Sequence, residues 1–222
     1  MTQHKFFLLV LSFGFFLCLS CRHVEKNYYL DGGLESALSY KRGKLDGTAV
    51  WYYQHGKKSL EITYKNGLKE GTMTRFFRNG SIETTENYKK DTLNGVSLQY
   101  NENGVLVSEL FYKNGKKNGI SKQYYPDGSL LFSGKYTEDQ YDGKWEYFDE
   151  EGYKIGEGNF VKGQGVLIGY DNEGTIAKKV YYTNSSISKE EFFSKENHQI
   201  EKTIIYENGR ITDVQIHTKT DK

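Results

Sequence analysis

The chain has 222 residues, of which 36% are hydrophobic and 15% aromatic, with a mean hydropathy of −0.72. That is polar for a chain with one large core, yet far richer in rings than chains that stay disordered. Lys and Arg number 30 against 29 Asp and Glu, for a net charge of +1. Such balance excludes nucleic acid as the expected partner, which would call for a concentrated basic surface. The two cysteines, Cys18 and Cys21, both lie near the N-terminus, so the rest of the chain holds no disulfide, thiolate nucleophile or cysteine metal site.

Residues 1–5 are polar with one firm positive charge, Phe6 to Ser20 form an apolar run of 15 residues, and polarity returns at Arg22-His23. This is the layout of a secretory signal, expected to occupy 1–20, and it falls short of the roughly 20 apolar residues of a bilayer-spanning helix. Leu19-Ser20-Cys21 resembles the lipobox of bacterial lipoproteins, with Cys18 where Leu is usual. The resemblance implies lipid attachment at Cys21 and a membrane-anchored place in the bacterial cell envelope, at the outer membrane. Residues 21–29 then read as a short linker.

From residue 30 the chain is periodic. Gly47, Gly71, Gly95, Gly119 and Gly143 stand 24 residues apart, as do Gly56, Gly80, Gly104, Gly128 and Gly152. An aromatic ladder runs through Tyr40, Tyr64, Tyr88, Tyr112, Tyr136 and Phe160, continuing to Tyr182 and Tyr206. A fixed period of this size is the mark of a repeat architecture. In residues 71–95, two runs of strand-forming residues flank Asn79-Gly80, which reads as a β-hairpin, and a second turn is expected to end at Gly95.

Columns past the turn glycine alternate. Lys58, Ile82, Leu106, Leu130, Lys154 and Ile176 stand two past it, and the aromatic ladder stands eight past it. These columns predict one drier face. A three-residue loop would set Tyr52, Phe76, Tyr100, Tyr124, Phe148 and Tyr170 opposite the first column. Pro126-Asp127-Gly128 favours that loop, because it puts Pro at the first turn position and Gly at the left-handed one. The step shortens to 22 between Gly152 and Gly174, where two residues are lost and strand parity is kept.

About eight hairpin units are expected over 30–212, with His198 replacing the turn glycine in the last and a polar tail over 213–222. The fold class is all-β, an extended, twisted antiparallel meander of tandem hairpins in a single-layer sheet.

Tyr64-Lys-Asn-Gly-Leu-Lys-Glu-Gly71 and Tyr112-Lys-Asn-Gly-Lys-Lys-Asn-Gly119 resemble MORN repeats. The likeness is to the bacterial variant in which Tyr-x-x-Gly-x-x-x-Gly alternates with aromatic-x-x-x-Gly. It implies a sheet used for protein contact and, in some proposals, lipid contact; some bacterial relatives are labelled antitoxin components.

Catalytic chemistry is hard to find. The five histidines are scattered, Asp139 and Asp142 occupy turn slots held elsewhere by Gly115 and Asn118, and Glu150-Glu151 is a loop pair. The expectation is a non-enzyme with no cofactor and no metal. Trp51, Tyr53, Trp145 and Tyr147 are expected on the face opposite the Tyr52 and Phe148 columns, as aromatic anchors of a binding surface. An envelope-anchored scaffold with an unknown protein partner is the leading reading, ahead of an antitoxin-like neutraliser and, more distantly, a cell-wall-acting enzyme.

Overall fold

The computed structural model describes residues 22–217. The expected signal segment, Cys21 and residues 218–222 lie outside the described residues. Seventeen strands follow one another: β1 (Arg22–Tyr28), β2 (Leu34–Lys41), β3 (Lys44–Tyr52), β4 (Lys58–Lys65), β5 (Leu68–Phe76) and β6 (Ile82–Lys89). Then come β7 (Thr92–Tyr100), β8 (Leu106–Lys113), β9 (Lys116–Tyr124), β10 (Leu130–Thr137), β11 (Gln140–Phe148) and β12 (Lys154–Val161). The last five are β13 (Gln164–Tyr170), β14 (Ile176–Thr183), β15 (Ser186–Phe193), β16 (Ile200–Glu207) and β17 (Arg210–Ile216). Each pairs antiparallel with its sequence neighbours in one open sheet, so the meander expected from the periodicity is the observed fold. The array is longer than 30–212 at both ends. Arg22–Tyr28, expected within a linker, is paired with β2 as β1, and β17 reaches Ile216.

Two turn types alternate, one at each rim of the sheet. At the first rim, two-residue turns join β2 to β3, β4 to β5 and so on, with both residues left-handed: Asn66 at φ 53° and Gly67 at 86°, Lys90 at 49° and Asp91 at 63°. These are type I′ turns, whose twist matches that of the strands they join. At the second rim sits the three-residue loop. Tyr125 N–H donates to Ser129 O and Gly128 N–H to Tyr125 O, both at 2.9 Å, with Pro126 first in the loop and Gly128 at φ 95°. All six expected cross-strand pairs occur, from Tyr52 opposite Lys58 and Phe76 opposite Ile82 to Tyr170 opposite Ile176.

The expected faces are corrected by bulges. Phe76 faces Ile82, but Arg75 faces Thr84, leaving Glu83 as an extra residue. One inserted residue moves every later side chain of that strand to the other face. The Tyr88 column therefore lies on the face opposite Ile82 and Phe76, not with them. Gly95 does not end a turn either. The turn is Lys90-Asp91, and Gly95 sits inside β7 at φ 125°, in a second bulge where Glu86 faces Ser97 but Tyr88 faces Leu93. The β12–β13 hairpin pairs without a shift, so the two residues missing from the 22-residue repeat are those of this bulge.

The drier side, here the inner face, carries the Tyr88 column. Along its middle row lie Ala49, Ile62, Met73, Ser121, Trp145, Val180 and Ile204, each under 9% exposed, with Ser36, equally buried, in the next row opposite Trp51. The Tyr52 and Phe148 columns line the outer face at half-burial. The sheet curls toward the inner face over β11–β14. Tyr141 and Tyr182, three strands apart, have ring centroids 5.4 Å apart, where flat strands would separate them by about 14 Å. A ladder between successive turns fixes the first rim: Gly67 N–H to Leu45 O, Asp91 N–H to Lys69 O, Gly115 N–H to Leu93 O and Gly163 N–H to Tyr141 O, at 2.7–3.0 Å.

Candidate contact surface

The four expected aromatic anchors separate into different environments. Trp145 is 1% exposed and is the largest fully buried side chain among the described residues. It is the centre of an inner-face cluster and no surface anchor, which corrects the sequence expectation. The physical reason lies in its neighbours: the indole is flanked by Gly134 on β10 and faces Gly158 on β12. A Cβ at Gly134 would stand 2.0 Å from the indole Cδ2, so the ring lies flat on bare backbone there. Its Nε1–H donates to Lys135 O at 3.1 Å. Around it stand Tyr141 (4.7 Å, 89°), Tyr136 (5.1 Å, 83°), Phe132 (5.6 Å) and Phe160 (6.5 Å), largely edge-on as ring quadrupoles favour. The glycines at 134 and 158, in a column otherwise held by Ile62, Glu86, Leu110 and Val180, were the sequence signal for this packing.

Tyr147 joins that cluster, 6.4 Å from Trp145. Burial pushes its phenol, and that of Tyr136, well above the usual range, and that of Tyr182 up to about 12. These are packed rings whose hydroxyls stay neutral, unsuited to proton transfer near neutral pH.

Tyr53 is a staple between repeats. Its hydroxyl donates to Phe76 O at 2.6 Å, its ring stacks on His55 at 5.4 Å, and Arg78 lies 5.6 Å from the ring centroid. Tyr29 bonds Tyr52 O and Tyr125 bonds Phe148 O in the same manner, so a tyrosine just past a strand end ties one loop to the next. This recurring tie was missed in the sequence; the sign was the Tyr53, Tyr125 step of three periods.

Trp51 differs from all of these. It lies half-buried on the inner face of β3, opposite Ser36 on β2 and Leu60 on β4, eight strands from Tyr147. No ring contact engages it among the described residues, and its nearest inner-face neighbours in the middle row are Ala49 and Ile62. The structure thus unites Trp145 with Tyr147 and leaves Trp51 as a separate aromatic on a thin apolar floor.

The ionisable groups are paired for structure. Two adjacent carboxylates on β15 are nearly buried and point to opposite faces. Glu190 accepts from Tyr206 Oη and pairs with Lys178, both at 2.7 Å; Glu191 accepts from Tyr181 Oη and pairs with Lys189, also at 2.7 Å. Burial pushes both carboxyls up, but the donated hydrogen bonds outweigh it and hold them below the usual range. No group of three or more His, Cys, Asp or Glu is placed to hold a metal among the described residues.

Four segments, 45–66, 69–90, 93–114 and 117–138, match the family model described as MORN repeat variant. Each begins in one strand, crosses a three-residue loop and ends at the next type I′ turn. No curated protein matches the chain. A solved structure of a porin-like protein from Bacteroides uniformis ATCC 8492 aligns over 88% of this chain and 96% of that one, at 8% identity and a TM-score of 0.21, a score too low to bear on fold or function. The chain carries four tandem MORN repeats of the variant type, set within one seventeen-stranded meander.

Proposed function

We propose that the chain is a non-catalytic scaffold of the bacterial cell envelope, held at the outer membrane by lipid on Cys21, which contacts a partner protein through the inner face around Trp51. MORN repeats are scaffold units for protein or membrane contact, and a single-layer sheet offers surface without an enclosed cleft. The observation that carries the reading is Trp51 itself: a large aromatic, half-buried, without a ring contact among the described residues, and opposite Leu60 on the inner face. Aromatic residues of this kind dominate the energetics of protein interfaces. The anchor is supported by the Leu19-Ser20-Cys21 pattern. Acyl chains contribute about 0.8 kcal/mol per buried CH₂, which suffices for firm attachment when more than one chain is present.

Cross-linked capture from envelope extract tests the contact. Wild-type chain should retain a partner that Trp51→Ala loses while its melting temperature changes little; equal capture by both removes Trp51 from the contact. Mass spectrometry of the native N-terminus should show an acylated Cys21, and a lipid-free terminus at another residue would remove the anchor.

A further inference from the structure

The first rim carries a row of lysines held in no close ion pair among the described residues, with Asp46 within electrostatic reach of Lys41 and Glu138 of Lys113. Lys41, Lys65, Lys89 and Lys113 end β2, β4, β6 and β8, one per repeat, on the outer face beside the type I′ turns. Among the described residues, none of the four makes an ion pair; the ion pairs nearby are Arg22 with Asp46 (3.1 Å) and Lys116 with Glu138 (2.9 Å). The acids of this rim are turned toward backbone donors. Asp46 accepts from Asn66 N–H at 3.2 Å, Glu70 from Lys90 N–H at 2.9 Å and Asp91 from Lys69 N–H at 2.7 Å.

The register heightens the positive charge. Arg22, Lys41 and Lys44 stand directly opposite one another across three strands, and Lys113 faces Lys116. Like charges directly opposed in a sheet are destabilising; Asp46 and Glu138 offset part of this at the two ends of the row, and Lys65 and Lys89 between them have no ion pair among the described residues. Neighbouring columns drift, with Lys44, Leu68, Thr92 and Lys116 in one and Arg42, Asn66, Lys90 and Asn114 in another. The lysine column holds for four repeats and then stops at Thr137 and Val161.

The row also has a fixed pitch. Consecutive lysines are two strands apart, about 9–10 Å, and the turn-to-turn ladder from Gly67, Asp91 and Gly115 holds that spacing. A step of this size is roughly the length of one disaccharide unit in an extended glycan. At the Lys113 end of the row the same face carries an apolar strip, where Val96 faces Phe111, Phe111 is 38% exposed and Ile120 on β9 is 52% exposed; beside Lys41, Lys65 and Lys89 the same positions are Ser39, Thr63 and Asn87. Sugar rings present C–H faces that rest on such a strip while their acidic groups reach the lysines.

We propose that the first rim, along Lys41, Lys65, Lys89 and Lys113, is a docking row for a linear anionic polysaccharide with one acidic group per disaccharide. The site is distinct from the Trp51 surface, which lies on the other face, and does not depend on the partner protein assigned there.

The test is affinity electrophoresis of the full chain in detergent micelles through gels containing hyaluronate, which has one carboxylate per disaccharide. Hyaluronate should retard the wild-type chain, less so as ionic strength rises. Changing all four lysines to Gln should weaken binding by about thirtyfold, four exposed contacts of roughly surface-ion-pair strength. Neutralising Lys57, Lys58, Arg75 and Arg78 at the other rim should change it little. Thermal melts check both variants, and a Lys65→Gln, Lys89→Gln double variant repeats the comparison if the quadruple one is unfolded. Trp51→Ala should bind hyaluronate like wild type, which separates this site from the protein contact. Equal weakening by both rims, absence of retardation, or tighter lysine-dependent binding to single-stranded DNA or anionic phospholipid vesicles than to hyaluronate would each overturn the proposal.

Discussion

Adding one methyl group at Gly134 should cost more than almost any other small change in the sheet, and the cost should vanish when Trp145 is removed. Gly134 does not have a left-handed φ, so Ala is acceptable to the backbone there. The nearest obstacle is the indole, with Cδ2, Cε2 and Cε3 of Trp145 at 2.0, 2.3 and 2.4 Å from the added Cβ. Such overlap forces the ring off its seat among Tyr136, Tyr141 and Phe160. Overpacking of this kind costs about 1–3 kcal/mol. Trp145→Ala should itself cost about 3–5 kcal/mol, as the loss of a large buried ring does. In that background Gly134→Ala meets no ring, and an interior strand glycine is about 0.5–1 kcal/mol worse than Ala, so the second change should be neutral or stabilising. The double-mutant cycle should therefore show a coupling of roughly 2–3 kcal/mol. Urea melts of the four proteins by far-UV circular dichroism measure it. An equal cost of Gly134→Ala with and without Trp145 would refute the packing.

Gly119 and Gly104 separate backbone strain from crowding: both have positive φ, but a Cβ at Gly119 would lie 2.8 Å from Phe111 Cβ, while Gly104 is open. Gly104→Ala should cost about 1 kcal/mol and Gly119→Ala clearly more, in the same melts. The Glu190 carboxyl is held below its unfolded value, so its contribution is full above the ordinary glutamate range and disappears as pH falls through the folded value. Acid titration of stability should thus be shallower in Glu190→Gln than in wild type; parallel profiles would contradict the role given to Lys178 and Tyr206. Deleting residues 72–95 removes one whole repeat and should leave a folded, less stable chain, because each hairpin rests mainly on its neighbours, whereas deleting 12 residues should abolish folding by thermal melt.

The architecture was legible because turns announce themselves. Gly80, Gly104 and Gly128, with Pro126, gave the three-residue loop and its six cross-strand pairs directly. The bulges were not legible, since Gly95 in a bulge and Gly128 in a loop look alike as letters, and Lys90-Asp91 lacks the Asn-Gly signature of the type I′ turn it forms. Missing one bulge per hairpin inverted the relation between columns, and with it the place of Trp145. A mostly aliphatic column broken by Gly134 and Gly158 carried that information, but only cross-strand pairing shows that the two glycines flank one tryptophan. The proposed contact at Trp51 was half legible. Its exposure follows from Ser36 and Leu60 beside it, where Tyr147, in the same column, has Phe132 and Trp145.

The central claim is that bulges turn the Trp145 side of the sheet into its dry face. Tryptophan fluorescence of the Trp51→Phe chain, in which Trp145 is the only tryptophan, tests it most directly. Emission at short wavelength with little quenching by acrylamide is the predicted result; emission and quenching like those of free tryptophan in water would contradict it.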